Sequence, residues 1–364
     1  MAETLMIGGG GTGGHIYPAI AIAREYVARG AARKAVFVGT SKGLETRIVP
    51  AAGFPLELID VGGLKGKGGL DLIRNLARLP LGFLQAWRLV GRHRPSVVLG
   101  VGGYSSGPLL VAAKLRGVPT IIHEANAFPG LANRMLAKWV TSVAVAFPEA
   151  LPRLGRQDGV VTGNPIRKEF FDLGAASRTK VPGPTQRLLI FGGSQGSRII
   201  NRTMTAALGS LTGLADRLEI VHQTGPADLE SVQSAYRQSA FASARVVPYL
   251  DPMADEIAAA DLVVCRAGAM TIGELAAVGR GAILIPFAAA TNNHQELNAR
   301  VVERAGGAVV VTEAELSAER LAVAIVEIAA DQGRSARMGA AAAALAAPAA
   351  TATIVDLIEK IERN

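Results

Sequence analysis

Apolar and polar positions along this 364-residue chain alternate between two textures. Short runs rich in β-branched and aliphatic residues predict strands at Thr4–Ile7, Ala35–Val38, Leu56–Asp60, Val97–Val101, Thr120–His123 and Ser142–Ala146. Helix-period segments such as Pro18–Arg29 and Pro108–Arg116 lie between them. Strands alternating with helices predict βαβ units and a parallel sheet. The pattern halts at Val160–Pro165, where Gly163-Asn164-Pro165 breaks any regular element, and a loose stretch follows over Asp172–Gln186. It then restarts with strands predicted at Arg187–Phe191, Glu219–Gln223, Ala244–Pro248, Leu262–Cys265, Ala282–Ile285 and Ala308–Val311. The expectation is an α/β chain of two similar domains, 1–164 and 165–347, closed by a terminal helix over 348–364. In that helix Ile354, Leu357, Ile358 and Ile361 form one apolar stripe that must pack on something.

Composition agrees with folded domains, at 49% apolar and 19% charged residues. A single cysteine, Cys265, leaves no internal disulfide and fits a reducing compartment. The amino-terminal residues lack the basic and apolar regions of a signal peptide, and the best apolar stretch, Val97–Ala113, is interrupted by glycines and serines. Together these predict a cytosolic location. Charge changes the picture more. Residues 1–164 hold 19 basic against 9 acidic side chains, whereas the remainder holds 19 against 21. The first half is therefore the one expected to meet an anionic partner.

Two glycine-rich turns each follow a predicted strand and open a predicted helix. The first is Gly8–Gly14 followed by His15; the second is Gly192-Gly193-Ser194-Gln195-Gly196. Glycine permits a sharp turn and close approach of a ligand, and a helix N-terminus supplies free N–H groups, so phosphorylated guests are natural. Gly8, Gly10 and Gly13 also fit the dinucleotide pattern, but the second strand ends Val38-Gly39-Thr40-Ser41 without the carboxylate that holds a nicotinamide ribose. No P-loop spacing occurs. A third strand-to-helix passage, Cys265–Glu274, has small residues at the helix start. Its Glu274 either reaches a ribose diol or simply favours the helix dipole. Arg198 reads as a surface or salt-bridge residue.

Other constellations compete. Gly103-Tyr104-Ser105-Ser106-Gly107 fits a hydrolase nucleophile elbow, with His123, His222 and His294 downstream. That reading leaves the other glycine turns unexplained. The histidines and Cys265 show no metal-ligand spacing, so no metal is expected. His15 closes the first turn, where the helix N-terminus favours the neutral imidazole; it is a candidate base or a positioning donor. The segment 64–94 interleaves Lys65, Lys67, Arg74, Arg78, Arg88, Arg92 and Arg94 with Leu79, Phe83, Leu84 and Trp87. Such a mixture suits an anionic membrane surface, or else a core-facing helix with a solvated basic back. Nucleic acid is less favoured, because the basic residues are not interleaved with stacking aromatics.

Taken in order, Gly10–His15, Gly102–Pro108, His123-Glu124-Ala125-Asn126, Gly163–Arg167, Gly192–Gly196, Arg266–Glu274 and Gln295–Ala299 resemble the MurG family. These are bacterial transferases that add N-acetylglucosamine to the lipid-linked muramoyl-pentapeptide called lipid I. The resemblance spans nearly the whole chain. It implies two Rossmann-like domains with parallel sheets facing across a cleft (the GT-B type), the last helix returning to the first domain, and a peripheral protein at the cytoplasmic face of the bacterial inner membrane. It implies UDP-N-acetylglucosamine as donor, held by Thr12, Gly13, Gly14, Asn126, Arg167, Ser194, Leu250, Ala269, Met270, Thr271, Glu274 and Gln295. Leu250 stands where the family has isoleucine. The acceptor pyrophosphate would use Gly10, Gly11, Gly102, Gly103 and Tyr104, and the base would be His15, with Glu124 in reserve. No cofactor is implied. A related transferase with another lipid acceptor, a UDP-N-acetylglucosamine 2-epimerase of the same fold, and a serine hydrolase using Ser105 are the rivals.

Overall fold

The computed structural model describes residues 3–11, 13–62, 69–177, 185–331 and 333–363, with the side chains of 69–78 and 177 outside that description. Thr12, Lys65 and Lys67 therefore lie outside the described residues, as do the side chains of Arg74 and Arg78. The chain divides into two compact units, Met1–Ile166 with Ala349–Asn364, and Arg167–Pro348.

The first unit carries a parallel seven-stranded sheet. Its strands are β1 (Thr4–Gly8), β2 (Lys34–Gly39), β3 (Leu56–Leu58), β4 (Val97–Gly100), β5 (Thr120–Glu124), β6 (Ser142–Val145) and β7 (Val160–Val161), in the order β3-β2-β1-β4-β5-β6-β7. The second unit has β8 (Gln186–Phe191), β9 (Leu218–Gln223), β10 (Arg245–Val247), β11 (Leu262–Cys265), β12 (Ala282–Leu284) and β13 (Ala308–Val310), ordered β10-β9-β8-β11-β12-β13. Both orders are doubly wound, with the winding reversing between the first strand and the fourth. The sequence missed only β7, two residues long and ended by the Gly163-Asn164-Pro165 breaker.

The terminal helix Ala350–Glu362 belongs to the first unit. Ile354, Val355, Ile358 and Ile361 are buried in one cluster with Leu5, Ile7, Ile16 and Tyr26. Each such side chain contributes about 1.5–3 kcal/mol by leaving water. Polar bonds fix the register: Arg29 Nη1 reaches Asp356 at 2.6 Å, Arg33 Nη1 reaches Glu359 at 2.6 Å, and Tyr26 donates its hydroxyl to Glu362 at 2.5 Å. Among the described residues no helix is long and apolar enough to cross a membrane.

In helix Gly69–His93 the described residues divide between a packed face and an exposed one. Ala86, Leu89 and Val90 are core residues, and Phe83 and Trp87 pack half-buried against them, with the Arg116 guanidinium 4.0 Å above the Trp87 ring. Phe83 and Trp87 are thus mainly packing residues, and Leu79 is half-buried. Leu81 and Leu84 stay exposed, as does Arg88.

Candidate active site

In a doubly wound sheet, ligands bind beyond the carboxyl ends of the strands where the winding reverses. In the first unit that point lies between β1 and β4, whose ends pair as Gly8 with Gly100. The turns Gly8–Gly14 and Val101–Ser106 emerge there side by side. They are packed backbone to backbone: a Cβ on Gly103 would strike Gly10, and Gly103 holds φ 86°. The buried Ser106 hydroxyl bridges the two turns, 2.6 Å from the Gly8 carbonyl and 2.8 Å from that of Gly102. Tyr104 is exposed above them.

Ser105 does not form a nucleophile elbow. Its side chain is 1% exposed, and its hydroxyl has no hydrogen-bond partner among the described residues. Sealed from solvent and without a base, it cannot attack a substrate, so the hydrolase reading fails.

His15 is half-buried in the first turn of helix Gly13–Ala28, with Nδ1 3.3 Å from the Gly10 carbonyl. A proton on Nδ1 makes that bond and leaves Nε2 with the lone pair. Glu124 is different. It is buried, and it accepts four bonds: from Asn126 N (3.0 Å), Asn126 Nδ2 (3.2 Å), Gly130 N (2.9 Å) and Asn133 Nδ2 (2.9 Å). A carboxylate has about four lone-pair sites. Glu124 therefore orders the Asn126–Gly130 loop, and no acceptor is left over for a base. His123 beside it is buried, which pushes its imidazole toward the neutral form, with Nε2 3.3 Å from the Gly163 carbonyl.

Gly11 corrects another expectation. Its N–H donates to Glu45 Oε2 at 2.8 Å, so it is not available to a pyrophosphate. Glu45 went unnoticed in the sequence because it lies 34 residues from its partner. The spacing Gly39-Thr40-x-x-Gly43-x-Glu45 was the available signal.

In the second unit the winding reverses between β8 and β11, paired from Leu188 with Leu262 to Phe191 with Cys265. Gly193 holds φ 97° with open space around it, and Ser194 and Gln195 are exposed. Gly196 lies against the Thr224 carbonyl and Gly225 against that of Gln195, both at positive φ, so only glycine allows this stacking. Behind it Asn201 donates to the Thr224 carbonyl at 2.9 Å, while its Oδ1 lies 3.1 Å from His222 Nε2. Burial pushes the His222 imidazole down to about 3. The neutral ring thus donates from Nε2 and accepts the Tyr236 hydroxyl at Nδ1, 3.1 Å away. Arg198 lies 3.8 Å from Asp228, the salt-bridge role expected of it.

After β11, helix Ala269–Val278 starts at Gly268, with Ala269, Met270 and Thr271 in its first turn. Glu274 lies one turn further along that helix. Burial pushes its carboxyl up to about 7, against the pull of Arg167, whose Nη2 is 3.9 Å away, and with help from Glu169. Arg167 itself pairs with Glu169 at 2.8 Å. Gln295 accepts the Phe287 N–H at 3.0 Å, and Leu250 is buried just after β10. Among the described residues no cluster of three or more His, Cys, Asp or Glu could hold a metal.

Two doubly wound parallel units, each with a glycine turn at its reversal point, define a two-unit α/β protein of the nucleotide-binding kind. Residues 5–145 match the glycosyltransferase family 28 N-terminal domain, and residues 187–356 match the glycosyltransferase family 28 C-terminal domain. A relative from Pelobacter propionicus is 46% identical over 92% of this chain and 93% of its own length. One from Myxococcus xanthus is 48% identical over 89% and 84%. Both are named UDP-N-acetylglucosamine–N-acetylmuramyl-(pentapeptide) pyrophosphoryl-undecaprenol N-acetylglucosamine transferase. The crystal structure of Acinetobacter baumannii MurG superposes with a TM-score of 0.84 at 29% identity, covering 98% of this chain and 99% of that one. The chain belongs to glycosyltransferase family 28 and, within it, to the MurG family. A UDP-N-acetylglucosamine 2-epimerase from Neisseria meningitidis shares the fold alone, at 10% identity and a TM-score of 0.68.

Proposed function

We propose that this protein transfers N-acetylglucosamine from UDP-N-acetylglucosamine to the 4-hydroxyl of the muramoyl sugar of lipid I, with inversion, forming lipid II for peptidoglycan. The observation that carries the reading is the 46% identity, over 92% of the chain, to a relative bearing that name. The geometry supplies a consistent chemistry. The second unit takes the nucleotide half, with Glu274 on the ribose diol and Arg167, Leu250 and Gln295 around the donor. The departing diphosphate gathers negative charge, and the free N–H groups at Gly193–Ser194 and Ala269–Thr271 stabilise it.

The attacking hydroxyl must lose a proton. His15 takes it at Nε2, since the Gly10 carbonyl holds the proton of Nδ1 in place. Glu124 supports this step only by shaping the Asn126 loop. The diphosphate charge is met by amides, so the reaction runs without a metal. Exposed Leu81, Leu84 and Arg88 on a basic unit favour peripheral attachment to an anionic membrane surface, at the cytoplasmic face where UDP-sugars are found.

The test is UDP release and product mass with purified protein, UDP-N-acetylglucosamine and a lipid I analogue. Release that depends on the acceptor, with a disaccharide product, is expected and should survive EDTA. Turnover of the donor without acceptor, yielding an epimer, would replace this reading by the epimerase.

A further inference from the structure

Glu45 has no role in the reaction just described, yet it is 1% exposed and lies directly behind the first glycine turn. Its carboxylate accepts from Gly11 N at 2.8 Å, Thr40 N at 2.8 Å and Thr40 Oγ1 at 3.0 Å. Gly10, Gly39 and Gly43 surround it; a Cβ on Gly10 or Gly43 would collide with the carboxylate, and one on Gly39 with the Cγ methylene behind it. Much of the glycine in this region thus makes room for Glu45 rather than for a ligand. Among the described residues no cation pairs with it. Burial alone would raise its carboxyl, but the N–H groups of Gly11 and Thr40 hold it below the usual range and so favour the ionised form.

We propose that Glu45 is a positioning residue that fixes the first glycine turn and makes it a seat for an uncharged sugar rather than a phosphate. A buried anion hydrogen-bonded to the turn's own amide repels any phosphate brought to Gly10–Gly11. Gly11, at φ 89° with nothing near its open side, still allows a sugar to approach closely. The second turn differs: among the described residues no carboxylate accepts from an amide of Gly192–Gly196, which suits it to the diphosphate. The inference rests on the transferase reading, and it moves the acceptor's pyrophosphate away from Gly10–Gly11.

The experiment compares the wild type with Glu45→Gln, which removes the charge but keeps the shape, and with Gly43→Ala, which pushes the carboxylate off Gly11. Amide exchange of the segment 8–17 and UDP affinity are measured, with kcat and KM for a lipid I analogue and competition by inorganic pyrophosphate. In either variant, exchange at Gly11 should quicken roughly tenfold or more, the loss of a bond to a charged acceptor. UDP affinity should stay within about twofold while kcat falls about tenfold or more. In Glu45→Gln, pyrophosphate should compete better with the acceptor. Unchanged exchange, kcat within about twofold of wild type, loss of UDP affinity in step with activity, or weaker pyrophosphate competition would each overturn the proposal. Exchange and UDP binding need no acceptor, so they report on Glu45 even if the wild type fails to use lipid I, a result that would sink the transferase reading alone.

Discussion

Replacing Glu274 by Gln should strengthen the fold and weaken the donor site, with the two effects having different pH profiles. The carboxyl has a value of 4.5 when unperturbed and is pushed up to about 7 in the folded chain by burial, Arg167 opposing and Glu169 assisting. Between those values the folded protein holds a proton that the unfolded chain has released. Stability therefore falls as pH rises from about 4.5 to about 7, and the loss is complete above that. At 1.36 kcal/mol per pKa unit the full penalty is about 3 kcal/mol, of which about 2–3 kcal/mol develops between pH 5 and pH 8. Glutamine has no such titration. Any fixed cost of the amide is the same at both pH values, so the difference between variants isolates the effect.

With about 2–4 °C per kcal/mol in a unit of this size, Glu274→Gln should gain about 5 °C or more on wild type in going from pH 5 to pH 8. Thermal melting of both proteins at the two pH values checks this. Donor binding should behave oppositely. Only the ionised carboxylate accepts both ribose hydroxyls, so wild-type affinity for UDP should fall about tenfold per pH unit below 7, and the variant should bind weakly throughout. A melting difference that does not move with pH would refute the burial argument. A variant that binds UDP like wild type would refute the ribose role.

Other outcomes follow from the same geometry. His15→Ala should lower turnover by about 10²–10⁴ while UDP affinity, measured by calorimetry, stays near wild type; near-normal turnover would remove the base assignment. Serine at both Leu81 and Leu84 should weaken binding to anionic vesicles by sedimentation with melting temperature nearly unchanged, because both side chains are exposed. Serine at Phe83 and Trp87 should instead destabilise the first unit by a few kcal/mol in urea unfolding, since both pack on its core. Asn201→Ala should leave the His222 and Thr224 sides of its network unpaired, costing about 1–3 kcal/mol and loosening the second turn, visible as faster amide exchange at Gly196.

Local pattern carried most of the architecture because parallel strands are short apolar runs and helices repeat their period within a few turns. Twelve strands were readable that way; β7 was not, since two residues establish no pattern. The terminal stripe Ile354–Ile361 announced that it needed a partner, but only folding shows it meeting Ile16 and Tyr26. The local frame of the candidate site was legible, as in the two strand-to-helix glycine turns and the helix that carries Glu274. It was obscure where chemistry depends on distant partners. Ser105 matched an exposed elbow in sequence yet is sealed beneath its own turn. Glu124 resembled a reserve base until its four donors came into place.

The two glycine turns show best how one motif acquires two meanings. Both follow the first strand of a doubly wound sheet, so backbone geometry alone makes them equivalent anion sites. What separates them is the group lying behind each. Behind Gly192–Gly196 stands Asn201, which joins the neutral His222 and Tyr236 and also donates to Asp228 Oδ2 at 2.9 Å, so a carboxylate lies one hydrogen bond further back but none takes an amide of the turn among the described residues. Behind Gly8–Gly14 stands the Glu45 carboxylate, which takes the Gly11 amide for itself. A transferase needs this asymmetry. Its leaving diphosphate must be stabilised on one unit, while the base that accepts a proton must not be crowded by a second phosphate cradle. On the proposed transferase reading, a carboxylate bonded to one turn and none bonded to the other suits diphosphate departure to the second unit and proton removal to the first.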